Sequence, residues 1–339
     1  MSHILPDSIP ASMQELPPHW AHFCLGIESF LLNELGVELQ GKKILVAFSG
    51  GIDSTALLLT MKYIGRRRGG RVLALHLDHG LRQESEEDAK AAEAVCHLAH
   101  IPCFVFREDV RIIAKREGIG LEDAGRRVRY ALLEKVRNRE SADYIVLGHH
   151  LGDLCEDVLM RIIRGAGWPG ISGMPGVDTI RHIVRPFLLT PKKDLRDFLH
   201  ELGVPWQQDA SNTDLQWKRN RVRHNILPLF LEENQSFPDA VARMWRMGRL
   251  DAAFWQERVA KIDSGSLISV DFLESVHQAE RMRCYKVKLD ELGSGQVLAD
   301  SLFRLDAAWR EKRFGAVIQF PGEKTAKIVS AGVVFGVKH

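Results

Sequence analysis

Short, wholly apolar runs alternate with amphipathic stretches along the first two thirds of the chain. Residues 44–48 are five apolar residues in succession, a pattern typical of a strand that is buried on both faces of a parallel sheet. Apolar residues then recur at helical spacing over residues 53–64, which predicts a helix. The alternation continues, with strands predicted at 72–77, 103–106, 144–147 and 183–187 and helices at 22–39, 85–100, 121–136, 153–163 and 192–202.

This alternation predicts an α/β fold with a doubly wound, mainly parallel, Rossmann-like sheet and helices on both of its faces. Residues 1–20 are rich in proline and have no hydrophobic period, which indicates a flexible N-terminal arm. After about residue 216 the chain becomes mainly helical and ends in short strands and turns. We therefore predict an α/β domain at residues 21–215 and a second, smaller, mainly helical domain at residues 216–339.

Composition narrows the class of protein only slightly. The net charge is +2 and 27% of the 339 residues are charged, so binding of a polyanion would have to rest on local basic clusters. None of the five cysteines forms a C-x-x-C pair, which argues against a disulfide framework or zinc site and favours a reduced, cytoplasmic chain. No stretch approaches about 18 apolar residues, and no leader pattern is visible, so we expect neither a membrane-spanning helix nor a signal peptide.

The loop between the first predicted strand and helix carries the clearest chemistry. Its sequence is SGGIDST at residues 49–55; the glycines let backbone N–H groups turn toward an anion at the positive end of a helix. Asp53 is suited to bind Mg²⁺ or to cap the helix, and an ordinary strand-to-helix turn is the alternative. The loop lacks the lysine of the GxxxxGK[ST] motif. It resembles the PP-loop of the ATP pyrophosphatase families, which implies adenylation of a substrate oxygen with release of pyrophosphate.

Seven further strings complete a resemblance to the tRNA(Ile)-lysidine synthase family. In chain order they are HLDHGLR at 76–82, RRVRY at 126–130, GHH at 148–150, RGAG at 164–167, RPFL at 185–188, DASN at 209–212 and RNRVRH at 219–224. The resemblance covers about residues 43–230 and is weak from residue 240 onward. Because the chain ends before the additional domain of the longer members, we expect the short form of the family.

The resemblance implies a ligase that acts on the wobble cytidine of the isoleucine tRNA with a CAU anticodon. ATP adenylates the 2-carbonyl oxygen of that base, and the ε-amine of L-lysine then displaces AMP. ATP is thus the expected co-substrate and Mg²⁺ the expected cofactor, while this tRNA and L-lysine are the expected partners. The sequence leaves the oligomeric state open, with a homodimer among the alternatives.

The resemblance also assigns residues to the ATP site and to catalysis. The residues expected to bind ATP are Ser49, Gly50, Gly51, Asp53, Ser54, Thr55, His79 and Arg82. Asp53 is the expected Mg²⁺ ligand, and Asp53, Asp153 and Arg126 are the expected catalytic residues. A solvated basic helix face is the alternative for Arg126.

Carboxylates near residue 153 are the expected lysine site. Asp153 and Glu156 lie three positions apart and share one face of a predicted helix with Asp157. The resemblance implies that Asp153 and Glu156 bind the substrate amine, and a solvated acidic first turn that complements the helix dipole is the alternative. The family usually carries two adjacent aspartates here, and Gly152 stands at the first of those positions. Asp157, one turn along the same face, is a candidate replacement for that carboxylate.

The densest basic stretch is the expected tRNA contact. It contains Lys218, Arg219, Arg221 and Arg223. Binding of RNA phosphates is the natural use of such a cluster. Pairing of some of these arginines with Asp209 or Asp214 is the alternative.

Other functions share parts of this pattern. A tRNA thiolase of the same superfamily normally needs reactive cysteines, commonly in C-x-x-C pairs, which this chain lacks. A ligase similar to argininosuccinate or GMP synthase would share the SGG loop but lack the strings at 209–212 and 219–224. A non-catalytic RNA-binding paralogue remains a further alternative because of Gly152. A metal cluster of His76, Asp78 and His79 is an alternative at the end of the second predicted strand.

Overall fold

The computed structural model describes residues 5–78, 85–207, 217–260, 265–295 and 297–338. The chain divides into two compact units, of which the first comprises residues 1–164 and 173–243 and the second comprises residues 165–172 and 244–339. Within the described parts, no helix is both long and apolar enough to cross a membrane.

Six strands of the first unit form one sheet in the order β3-β2-β1-β4-β6-β5. They are β1 Lys43–Ala47, β2 Arg71–Asp78, β3 Cys103–Arg107, β4 Tyr144–Val146, β5 Val177–Asp178 and β6 Ile183–Val184. All neighbouring strands are parallel except β5 and β6, which pair antiparallel. The predicted doubly wound, mainly parallel sheet is confirmed.

Nine helices of the first unit accompany this sheet in the described residues. They are α1 Pro18–Ser29, α2 Ile52–Arg67, α3 Ser85–Leu98, α4 Val110–Glu117, α5 Leu121–Glu140, α6 Leu151–Ile163, α7 Lys192–Glu201, α8 Lys218–Arg221 and α9 Leu227–Glu233. A π-helical turn, Val222–Ile226, joins α8 to α9, and another, Phe30–Glu34, follows α1. A further helix, α10 Phe237–Val259, begins in the first unit and continues in the second.

Strand β1 shows why the sheet needs helices on both faces. Ile44, Leu45 and Val46 have no solvent exposure, because alternate side chains of a strand point to opposite faces. Ile44 and Val46 join the apolar cluster that includes residues of α1, α2 and α7. Leu45 joins the opposite cluster, which includes Leu133 of α5. The continuous apolar run in the sequence therefore reports burial on both faces.

Two predicted boundaries differ from the structure. The predicted flexible arm at residues 1–20 is wrong for its described part, because Ile9 and Met13 are buried in the core and Arg66 of α2 donates a hydrogen bond of 2.8 Å to the carbonyl of Ala11. The predicted boundary at residue 215 falls inside the first unit. The turn and helix that follow α8 pack against α6, which keeps them with the α/β sheet.

The second unit has its own core. Its helices are α11 Val270–Ser275, α12 Gln278–Glu291 and α13 Ala299–Arg310. Its strands are β7 Leu267–Ser269, β8 Val317–Phe320, β9 Lys324–Val329 and β10 Gly332–Val337, which form an antiparallel sheet in the order β7-β10-β9-β8. Leu289, Leu305 and Ile328 are wholly buried between helices and sheet. The buried guanidinium of Arg281 pairs with the carboxylate of Asp306 at 2.7 Å.

Candidate active site

The candidate site lies where the carboxyl ends of β1, β4 and β6 meet, the usual position for ligands in an open parallel sheet. A Cβ atom added to Gly148, just after β4, would lie 3.1 Å from the backbone of Asp53. The segment after β4 therefore passes directly against the start of α2. The amide of Leu151 donates to the carbonyl of Thr190 at 3.0 Å, which ties the starts of α6 and α7 together.

The PP-loop between β1 and α2 has a shape that requires glycine. Gly50 has φ of +84°, and a Cβ atom on it would lie 2.6 Å from Oε1 of Gln207. Only glycine adopts this conformation without strain, and any other residue would also require the Gln207 side chain to move. The amide of Gln207 also donates to the Gly50 carbonyl at 2.9 Å. Gln207 is thus a loop-supporting residue that the sequence did not reveal.

Hydroxyl groups of the loop hold its own backbone. The amide of Ser49 donates to Oγ of Ser54 at 3.2 Å, and Ser54 Oγ donates to the Gly51 carbonyl at 3.1 Å. Thr55 is wholly buried, and its hydroxyl donates to the Gly50 carbonyl at 3.3 Å. The hydroxyl of Thr55 therefore helps to shape the loop, and its predicted contact with ATP stays a prediction.

Asp53 is the polar side chain at the mouth of this loop. Its Oδ1 atom is buried and accepts no hydrogen bond from any residue that the structure describes. Its Oδ2 atom lies 3.5 Å from Nζ of Lys192. No group of three metal-ligating side chains occurs among the described residues, but Mg²⁺ commonly takes one or two carboxylates together with substrate phosphates and water. An unpartnered carboxylate oxygen beside a phosphate loop fits that ligand set.

His150 links the PP-loop to the carboxylates of α6. Its Nε2 atom lies 3.8 Å from Oδ1 of Asp53 and 3.5 Å from Oδ2 of Asp153. The ring also caps α6, because the amide of Gly152 donates to Nδ1 at 3.0 Å. In return, the amide of His150 donates to Oδ2 of Asp153 at 3.0 Å. The helix start therefore fixes both the imidazole and the first predicted lysine-binding carboxylate.

Gly152 lies close to the capping ring of His150. A Cβ atom at this position would lie 2.8 Å from Cε1 of His150, so a larger residue would displace the capping imidazole. Asp157, one turn along the same helix face, pairs with Arg161 of its own helix at 2.7 Å.

Two arginines cover the predicted lysine-binding carboxylates. Arg219 donates from Nη2 to Asp153 Oδ1 and from Nε to Glu156 Oε2, both at 2.8 Å. Arg223 donates from Nε to Glu156 Oε1 at 2.5 Å and from Nη2 to Asp153 Oδ1 at 3.3 Å. The Glu156 side chain is only 3% exposed. We name these four side chains the arginine–carboxylate cluster.

Charge in this cluster keeps Asp153 ionised. Burial would raise the pKa of Asp153, but its electrostatic interactions with His150 and Arg219 and the hydrogen bond from the His150 backbone N–H outweigh burial and lower the pKa to about 2. The same carboxylates raise the pKa of Arg219 against the effect of its burial. Asp153 therefore stays negative throughout the range in which a ligase would work.

His149 lies beside the cluster as a neutral imidazole. Burial lowers its pKa to about 3; Asp153 opposes this, whereas Arg185, Arg219 and Arg126 add to it. Nε of Arg185 donates to Nδ1 of His149 at 3.1 Å, which places the ring proton on Nε2. The Nε2–H group of this imidazole can donate a hydrogen bond near the cluster without adding charge.

The lowered pKa predicts a loss of stability in weak acid. Below pH 6.5 the unfolded chain protonates His149 while the folded chain does not until about pH 3, so acid favours the unfolded state. We expect this group to lower the free energy of unfolding by about 1–2 kcal/mol between pH 7 and pH 5. Urea unfolding of the wild type and of His149→Gln, which retains an acceptor for Arg185, measures the effect. An equal pH slope in both proteins would contradict it.

Arg126 lies on the exposed side of α5. Its guanidinium stacks on the ring of Tyr130 at 5.1 Å, and Arg181 stacks on the same ring at 5.4 Å. These three residues line a cavity of about 510 Å³ together with Ile145 and Ile183. The charge of Arg126 contributes to the lowered pKa of His149, so Arg126 lies near the site.

The predicted tRNA-contacting residues separate into two groups. Lys218 and Arg221 are exposed on α8, whereas Arg219 and Arg223 belong to the arginine–carboxylate cluster. The predicted ATP contacts His79 and Arg82 and the string at 209–212 lie outside the described residues.

The end of β2 does not present an open metal site in its described part. His76 is buried, which lowers its pKa, and its Nδ1 atom is 3.0 Å from the Phe48 carbonyl. Asp78 lies 3.5 Å from Nε of Arg107. Both side chains therefore tie the ends of neighbouring strands together.

Comparison with known proteins places this site in a family. A family model described as a PP-loop domain matches residues 27–230. The chain is 42% identical over 327 residues to a tRNA(Ile)-lysidine synthase from Nitratidesulfovibrio vulgaris, which covers 89% of this chain and 94% of the relative. Relatives of the same name from Geobacter sulfurreducens and Bacillus subtilis are each 34% identical. The matches span 81% and 64% of this chain and 60% and 46% of those relatives.

A solved structure supports the fold independently. A U34-tRNA thiolase from Methanococcus maripaludis, solved with its [4Fe-4S] cluster, matches with a TM-score of 0.53 over 66% of this chain and 78% of that chain. The sequence identity is 15%, so this likeness concerns the fold alone.

Proposed function

The chain belongs to the PP-loop family and, within it, to the tRNA(Ile)-lysidine synthases, and from this premise we propose how its site works. The protein is a ligase that forms a carbon–nitrogen bond on tRNA. ATP adenylates the 2-carbonyl oxygen of the wobble cytidine in the isoleucine tRNA with a CAU anticodon, and pyrophosphate leaves. The ε-amine of L-lysine then attacks carbon 2 of the base, and AMP leaves together with the oxygen that was bound to that carbon.

The observation that carries the proposal is the position of His150. One imidazole nitrogen lies within 4 Å of both the PP-loop carboxylate of Asp53 and the α6 carboxylate of Asp153. The amine must attack the carbon whose oxygen has been adenylated, so the ATP site and the amine site have to adjoin each other. His150 meets this requirement, because it lies beside the carboxylates of both sites.

Residues of this chain divide the work. The loop backbone at Gly50 and Gly51 and the hydroxyl of Ser49 receive the phosphates, and Asp53 would hold Mg²⁺, which supplies charge neutralisation when bound. Asp153 and Glu156 bind the lysine ammonium and hold its nitrogen near the activated carbon. With a reference pKa of about 10.4, only roughly one lysine amine in 2,500 is neutral at pH 7, so the site has to promote proton loss.

The arginine–carboxylate cluster must rearrange for this step. Arg219 and Arg223 already neutralise both carboxylates, and a lysine ammonium has to share or displace those guanidinium groups. RNA phosphates are suitable alternative anions for arginine. We therefore propose that the phosphates of tRNA bind Lys218, Arg219, Arg221 and Arg223. Lysine then binds most tightly when tRNA is present.

The thiolase alternative lacks support at this site. Cys155 lies on α6, between Asp153 and Glu156 in the sequence. Burial raises the pKa of its thiol to about 12. A sulfur-transfer nucleophile needs an accessible thiolate. A homodimer and a cytoplasmic location remain predictions of the sequence.

Incorporation of radiolabelled lysine tests the proposal. Purified protein, ATP and Mg²⁺ are incubated with an isoleucine tRNA transcript bearing CAU, and a methionine tRNA transcript is the control. We expect label in the isoleucine transcript only, with one AMP and one pyrophosphate formed per lysine. ATP-dependent incorporation of sulfur, or RNA binding without label, would support a thiolase or a non-catalytic paralogue instead.

A further inference from the structure

The PP-loop at residues 49–55 contains neither lysine nor arginine, although its ligand carries several negative charges. In loops of the GxxxxGK[ST] type, a lysine within the motif reaches the outer phosphates. We propose that Lys192, 139 positions from Asp53 in sequence, supplies the corresponding cation and binds the β- and γ-phosphates of ATP and the departing pyrophosphate. This inference rests on the proposed function for its rate effect but not for its binding effect.

The fold carries Lys192 to the loop. It is the first residue of α7, and α7 packs against α2. Its Nζ atom lies 3.5 Å from Oδ2 of Asp53, which is the second residue of α2. The side chain is half exposed, and its four-carbon stem is flexible. A small rotation of the Lys192 side chain would therefore move its ammonium from the Asp53 carboxylate to a phosphate bound by the same loop.

The starts of the two helices add to the same field. The caps of α2 and α7 are Gly51 and Pro191, and neither provides a side-chain hydrogen bond. The first-turn N–H groups of both helices are therefore without a side-chain cap, and both positive ends are near the contact between Lys192 and Asp53. Such an arrangement favours an anion more than one helix alone.

The contact between Lys192 and Asp53 is a loose one. A separation of 3.5 Å exceeds the 2.7–2.9 Å of a charge-assisted hydrogen bond, so the pair is weak and half open to water. Lys192 therefore lies near the loop without being tightly bound to Asp53. When Asp53 turns its charge toward a metal ion, the ammonium is available for phosphate.

Cleavage of ATP gives this ammonium a role in the rate. The cytidine oxygen forms a bond to the α-phosphorus while the bond from that phosphorus to the bridging oxygen of pyrophosphate breaks. Negative charge grows on the leaving pyrophosphate, and a cation placed there stabilises the transition state more than the ground state.

The next residue in sequence provides a matched control. Lys193 is 74% exposed and pairs with Asp197 of its own helix at 2.5 Å. It has the same charge and neighbouring backbone as Lys192 but faces away from Asp53. A general effect of removing positive charge from the start of α7 would appear equally in Lys193→Gln.

Binding to the intact protein separates a phosphate contact from a structural role. Calorimetry with α,β-methylene-ATP and Mg²⁺ is compared with adenosine, which has no phosphate, for wild type, Lys192→Gln and Lys193→Gln. We expect Lys192→Gln to weaken the ATP analogue by about tenfold to a hundredfold and to leave adenosine unchanged. Lys193→Gln should bind both ligands as the wild type does. Equal loss of both ligands, or loss of neither, would overturn the proposal.

Rate measurements complete the test. In tRNA-dependent pyrophosphate release, Lys192→Gln should raise KM for ATP and lower kcat, and Lys192→Arg should recover most of both because it restores the charge. An arginine variant as impaired as the glutamine variant would contradict a charge role. If wild-type protein releases no pyrophosphate with tRNA, the proposed function fails, whereas the calorimetric comparison still decides the role of Lys192.

Discussion

Replacement of Asp53 with Asn is expected to slow tRNA-dependent pyrophosphate release by about a thousandfold, with little effect on folding. The substitution keeps the size of the side chain but removes the charge that we assign to Mg²⁺. Loss of one preorganised group at developing transition-state charge costs on the order of 10² to 10³ in rate. The buried and unpartnered Oδ1 atom also loses its ability to bind a cation as a carboxylate. Single-turnover release of labelled pyrophosphate, with saturating tRNA and ATP, measures the effect.

Asp197→Asn is the control for this experiment. Asp197 is likewise a carboxylate that pairs with a lysine near the start of α7, at 2.5 Å from Lys193, but it lies outside the loop. We expect wild-type rates from it. Near-normal release by Asp53→Asn would remove Asp53 from the catalytic site and leave the loop as an ordinary strand-to-helix turn.

Glu156→Gln should produce the second large effect, on both stability and lysine use. Glu156 receives hydrogen bonds from Arg219 and Arg223 while being almost wholly buried. Removal of one partner from a buried ion pair leaves charge uncompensated, which costs about 3 kcal/mol of folding free energy. Because the same carboxylate is the proposed ligand of the substrate amine, KM for lysine should rise by about a hundredfold while pyrophosphate release persists. Chemical denaturation and labelled-lysine kinetics give the two quantities.

Glu117→Gln is the matched control, because Glu117 also contacts two arginines, Arg116 at 3.3 Å and Arg127 at 3.0 Å. Those pairs lie at the surface, where ion pairs contribute about 1 kcal/mol or less. We expect a small change in stability and normal lysine use. A Glu156→Gln protein with unchanged KM for lysine would assign the cluster to structure alone.

Several features could be predicted because they depend on neighbouring residues in sequence. The apolar run of β1, the glycine turn and the start of α2 are local, and their chemistry predicts a phosphate loop whatever surrounds it. The parallel sheet follows from the repeated strand–helix alternation. Asp153 and Glu156 share a helix face for the same local reason.

Other features depend on contacts between distant segments. The sequence assigned Glu156 to lysine and Arg219 to tRNA as separate groups, yet the two side chains are 63 positions apart and in direct contact. Gly152 looked like a lost carboxylate, and only the structure shows that the ring of His150 lies close to it. The N-terminal segment looked like a flexible arm because its burial depends on contacts with α2, such as that between Ala11 and Arg66, which are 55 positions apart.

By itself, the sequence determined the class of fold, the nucleotide loop and the family, because each is encoded by local pattern or by motif order. Tertiary structure alone decided which charges meet: Lys192 with Asp53, and Arg219 and Arg223 with Asp153 and Glu156. Opposite charges interact through distance and burial, not through spacing along the chain. The pairing of charged side chains in the site is therefore determined by the fold, which brings the carboxyl ends of the strands together.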